Sequence, residues 1–79
     1  MKKIDGYDEA IIGTAFVWSS EGQVEVLVYD AEKIREMLVL DSMSFEEARE
    51  FIEYNIEGAY VGPYTPIIVW TEDYYELDD

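Results

Sequence analysis

The chain contains no cysteine and no histidine. Without cysteine no disulfide can staple a domain of this size, and nothing argues for an oxidising compartment. Without either residue the usual zinc, haem and iron–sulfur ligand sets are excluded. The commonest general base and the thiol nucleophile go with them. Bases are scarce as well: five Lys and Arg stand against nineteen Asp and Glu. The clustered cations that hold nucleic-acid phosphates are therefore missing, so direct binding of DNA or RNA is set aside. No apolar run exceeds five residues, far short of the roughly 20 that span a bilayer. Met1-Lys2-Lys3 starts basic, but Asp5, Asp8 and Glu9 follow and no apolar segment does; we expect no targeting signal and a cytosolic protein.

What is present is a globular composition. Seventy-nine residues, 49% apolar and with twelve aromatics, make one domain with a modest core. The net charge of −14 is therefore carried by a folded surface, and it is uneven. Residues 1–40 hold eight acids and four bases; residues 41–79 hold eleven acids and only Arg49. Such acidity serves solubility at the expense of self-repulsion. Solubility alone gives no reason to concentrate it in one half.

Along the chain, the β-branched and aromatic run Ala10–Trp18 and the alternating Gln23–Tyr29 flank the turn Ser19-Ser20-Glu21-Gly22, which predicts an antiparallel hairpin. Asp30 stands as N-cap to a short helix over Ala31–Leu40, with Ile34, Met37 and Leu38 inward. Asp41-Ser42-Met43 breaks it. Ser44-Phe45-Glu46-Glu47 matches a capping box, and Ala48, Phe51, Ile52, Ile56 and Ala59 behind it predict an amphipathic helix stopped at Gly58. Gly62, Pro63 and Pro66 fix a turn. Ile67–Thr71 predicts a third strand, apolar on both faces and so in mid-sheet. The tail Glu72–Asp79 is expected to extend that strand and then fray. The order β-β-α-α-β implies an α+β fold, a small antiparallel three-stranded sheet with two helices on one face.

Catalysis has no obvious carrier. The serines have no base beside them, Lys33 next to Glu32 reads as a solvated helix face, and paired carboxylates need a cleft. Glu72-Asp73 and Asp78-Asp79 lack the spaced ligands and central glycine of a calcium loop. We expect neither enzyme nor cofactor.

Glu46, Glu50, Glu53 and Glu57 recur at intervals of four, three and four residues, with Glu47 beside them. On a regular helix that is one outward stripe with a rise of about 16 Å. Like charges so placed destabilise a helix by roughly 0.2–0.5 kcal/mol per pair, and only Arg49, within reach of Glu46 and Glu53, offsets this. The stripe is either a plain solvated face or a binding surface whose carboxylates follow one another much as phosphates do along a strand. Tyr54, Tyr60, Tyr64, Tyr74 and Tyr75 lie in the same acidic half and suit an interface or the edge of a sheet. Asn55 falls on the apolar face and is expected to bond the turn after Gly58. The candidate partner-binding residues are Glu46, Glu47, Glu50, Glu53, Glu57, Glu72, Asp73 and Glu76.

Ser44 to Val69, SFEEAREFIEYNIEGAYVGPYTPIIV, resembles a family of short phage and prophage proteins with the pattern EEAxEFxEFNxxGAxVGxxTP. The matching residues are Glu46, Glu47, Ala48, Glu50, Phe51, Glu53, Asn55, Gly58, Ala59, Val61, Gly62, Thr65 and Pro66. Asp8–Ile12 with Gly13, and Tyr29-Asp30, extend the likeness over most of the chain. Small acidic phage proteins are often inhibitors of host defence, anti-CRISPR proteins prominent among them, and several mimic DNA. The resemblance thus implies a phage-encoded inhibitor in the cytoplasm of a bacterial host, its acidic face occupying the basic DNA-binding surface of a Cas effector subunit. The acidic tail and Glu57 depart from the pattern and add to the acidity. A different class stays open: a non-enzymatic adaptor that docks through its apolar aromatics on a protein unrelated to nucleic acid. Either can be a monomer or a small homo-oligomer, and neither engages a membrane.

Overall fold

The computed structural model describes residues 1–57 and 62–71. The hairpin forms from strands β1 (Ile11–Ser19) and β2 (Gly22–Asp30), paired antiparallel from Ser19↔Gly22 to Ile11↔Tyr29. Gly22 has φ +99°, a conformation that a residue with a Cβ rarely adopts, and the Ser19 hydroxyl donates to its carbonyl at 3.1 Å. A bulge between Ile11 and Gly13 interrupts the far end of β1. Ala10, expected at the start of the strand, instead closes a 3-10 turn over Asp8–Ala10.

Helix α1 (Ala31–Leu40) has the expected bounds, with the Asp30 carboxylate accepting from the Glu32 N–H at 2.9 Å. It ends on Ser42 at φ +87°. There the Met43 N–H reaches the Leu38 carbonyl and the Ser42 N–H the Val39 carbonyl, the paired bonds of a Schellman stop. Ser44 then opens helix α2 (Phe45–Phe51). Its hydroxyl accepts from the Glu47 N–H at 3.1 Å, and the Glu47 carboxylate accepts from the Ser44 N–H at 3.0 Å. The capping box is real.

The helix behind it is not regular. From Ile52 to Glu57 it widens into a π-helix. Ala48, Ile52 and Ile56 are all buried and lie four residues apart. Four residues overshoot a 3.6-residue turn by about 40°. The wider turn, with its i→i+5 bonds, falls short over the same four and brings Ile56 back into line with Ala48. The expected stop at Gly58 lies outside the described residues, as do Ala59, Tyr60 and Val61.

After the Gly62 turn, where the Thr65 N–H and hydroxyl both donate to the Gly62 carbonyl, strand β3 covers Ile67–Val69. The α+β class and the β-β-α-α-β order hold. The pairing of β3 corrects the expectation of an all-antiparallel sheet: Val28↔Ile67, Tyr29↔Ile68 and Asp30↔Val69 run parallel. A parallel neighbour needs a long crossover, and the two helices supply it. Nor does β3 lie in mid-sheet. The order is β1-β2-β3, with β2 central. The third strand is apolar on both faces because the sheet buries residues on both. Ile68, with Tyr29, Leu27 and Ile11, joins the core under both helices, whose centre is Ala31, Ile34, Leu38, Ala48, Ile52 and Ile56. On the other face Val24 and Val26 are buried, beside half-buried Ala15, Val17, Val28 and Ile67. The Tyr29 hydroxyl, inside the core, accepts from the Ile4 N–H at 2.8 Å and pins the N-terminal segment. Among the described residues no helix is long and apolar enough to cross a membrane.

Candidate partner-binding surface

The capping box sets the start of α2 and so decides which way its acids point. Glu46, Glu47, Glu50, Glu53 and Glu57 are all exposed, but the structure does not leave them as one uniform row. Glu46 and Glu50 share a regular α-helical meridian, and no hydrogen bond or ion pair engages either among the described residues. Glu47 is spent in the cap. Glu53 and Glu57 lie in the widened turn, so the four-residue spacing between them falls short of a full turn. Glu53 is ion-paired to Arg49 at 3.1 Å. Glu57 accepts from the Trp70 indole N–H at 3.4 Å, which turns it toward the sheet. Glu72, Asp73 and Glu76 lie outside the described residues, as do Tyr74 and Tyr75.

The same rotation accounts for Asn55. Expected on the apolar face, it is exposed, because the π turn gives its inward place to Ile56. It lines a shallow groove with Met43, Glu47, Glu50, Phe51 and Tyr54. Tyr54 is 80% exposed, so an aromatic ring with a polar tip stands free beside the unpaired carboxylate of Glu50.

The arginines are handled in the opposite way. Trp70, just past β3, has two guanidinium groups near its ring, that of Arg49 4.8 Å and that of Arg35 5.6 Å from the ring centre. Arg35 also lies against the Phe45 ring at 3.9 Å and is ion-paired with Glu32. It is buried, 5% exposed. Sequence reasoning missed it: only the spacing of Arg35 from Glu32 (i, i+3) hints at a paired, inward arginine. Two of the chain's five cations are thus held against aromatic faces, while Glu46 and Glu50 face outward.

A second, open groove is rimmed by Asp30, Glu32 and Glu36 above Arg35 and Phe45. Three carboxylates gather on it, and each is engaged. Asp30 caps α1 and accepts from the Thr71 hydroxyl at 2.9 Å, Glu32 pairs with Arg35, and Glu36 lies 3.9 Å from Lys33. Among the described residues no group of three or more acids is placed to hold a metal ion.

The molecule is thus a small α+β domain with an acidic helical surface. Compared with protein-family models, curated proteins and solved structures, the chain matches none.

Proposed function

We propose that this protein is a non-enzymatic inhibitor that places its acidic helical face on the basic, nucleic-acid-binding surface of a partner protein and so excludes the nucleic acid. The observation that carries this reading is the segregation of charge around α2. Glu46 and Glu50 are exposed and unneutralised, whereas Arg35 and Arg49 are drawn against aromatic rings. A purely solvated face gains from interleaved opposite charges, and this one forgoes them at its outer edge. Tyr54 and the groove beside Glu50 supply contact area with a polar tip, the chemistry favoured at interfaces. Complementary potential speeds association and makes it weaken as salt rises.

The resemblance to short phage proteins makes a Cas effector complex the first partner to try, with competition against target DNA as the mechanism. The test is displacement of labelled target DNA from purified effector complexes at low salt, with the parent chain and E46K/E50K. The parent should compete and the double variant should lose most of its potency while keeping its circular dichroism spectrum. Parent chain that never displaces DNA from any effector sinks the anti-CRISPR reading. Equal potency of the two proteins sinks the role given to this face, and shifts the weight to docking through exposed aromatics.

A further inference from the structure

Strand β1 runs nine residues, Ile11–Ser19, without a single charged side chain, in a chain of net charge −14. It is the outer strand of the sheet, and among the described residues nothing pairs with its free edge. Edge strands of this length are ordinarily blunted by charge or proline, because their unpaired N–H and C=O groups invite another strand. Here the only irregularity is the bulge at Ile11/Gly13, which leaves Gly13–Ser19 regular. Within that stretch Phe16 is 63% and Trp18 78% exposed, on the same face as Thr14.

We infer that β1 is a self-association edge, paired antiparallel with β1 of a second copy about a two-fold axis at Phe16. Three observations select a second copy as the occupant. First, Gly13–Ser19 is centred on Phe16, so this register pairs Phe16 with its symmetry mate, Thr14 with Trp18, Ala15 with Val17 and Gly13 with Ser19. Every pair is uncharged, and the aromatic side chains form one row on one face while Ala15 and Val17 continue the small apolar layer on the other. A two-fold interface requires this kind of self-complementarity. Second, β1 itself brings no carboxylate to the seam; the nearest on the aromatic face, Glu25 of β2 opposite Phe16, is held by the Thr14 hydroxyl at 2.8 Å. Third, the distances favour it. The widened helical turn contacts β3, and in a six-stranded sheet joined through β1 the two β3 strands are five spacings apart, about 24 Å. That is some three times the Debye length of about 8 Å at physiological salt, so repulsion between the acidic surfaces is largely screened.

The dimer therefore carries a signature opposite to that of the acidic face. Self-association strengthens as NaCl rises, while binding to a basic partner weakens. Sedimentation equilibrium at low and high NaCl should show mass rising from the 9.2 kDa chain toward twice that value. F16E, at an exposed position, sets a carboxylate against its own symmetry mate and should hold the mass at one chain with an unchanged circular dichroism spectrum. Because the chain has no cysteine, F16C tests the register directly. Under mild oxidation it should cross-link to itself much faster than L40C, whose position is 88% exposed on α1. A single-chain mass at every concentration and salt overturns the proposal and leaves the edge to a strand of some other protein. A dimer that F16E does not disturb, or cross-linking of F16C no faster than L40C, overturns the interface.

Discussion

Among the described residues, Ser42 is the one non-glycine residue with a positive φ. Its φ of +87° ends α1 in a left-handed conformation that glycine adopts without cost and other L-residues do not. S42G should stabilise the chain by about 1 kcal/mol, which for a domain of this size is a rise in Tm of about 4–8 °C by calorimetry. Arg35 lies at the other extreme. Removing one member of a buried ion pair costs about 3–5 kcal/mol. Chains of this length have about 4–12 kcal/mol in total. R35A should therefore be largely unfolded or melt far lower, and R35M/E32Q, which removes both charges, should recover much of the loss. Urea titrations followed by far-ultraviolet circular dichroism measure both.

At the scale of elements, the outward acids of α2 invite a separation of stability from binding. Glu50 stands one turn from Glu46 and three residues from Glu53 on a helix with one arginine. E50K turns like-charge neighbours into opposite ones and should gain a few tenths of a kcal/mol by thermal melting, while weakening binding to a basic partner. A variant that loses both would mean that Glu50 supports the fold. Much of this scale could be read in the sequence, because the signals were local. Asp30 and Ser44 as caps, Gly22 in its turn, and the inward Ile34 and Leu38 each follow from a few adjacent residues. The readings that failed depended on distant ones. The parallel pairing of β3 is set by where 36 intervening residues return the chain. The π turn is set by the demand that Ala48, Ile52 and Ile56 meet one core, and their strict four-residue spacing was its only trace. Because that turn rotates everything after Phe51, the glutamate stripe drawn on an ideal helix breaks: Glu46 and Glu50 keep their regular outward places, whereas Glu53 and Glu57 are displaced and Glu57 meets the Trp70 indole.

For the molecule as a whole, self-repulsion at a net charge of −14 opposes folding. Raising NaCl from 0.01 to 0.15 M shortens the Debye length from about 30 to about 8 Å. Tm should climb steeply over that interval and flatten above it. Association through β1 would add a dependence of Tm on protein concentration, so F16E is the background in which to measure screening by itself. A parent Tm insensitive to salt would mean that the charges are already spaced or compensated in the fold.

One atom joins parts of the fold that are far apart in sequence. Oδ1 of Asp30 accepts from the first turn of α1 through the Glu32 N–H and from the segment after β3 through the Thr71 hydroxyl, while Asp30 itself ladders with Val69. Release of β3 therefore also exposes the start of α1. In native-state hydrogen exchange the amides at the start of α1 and those of β3 should open as a single cooperative unit. D30A should divide that unit in two, with β3 exchanging first.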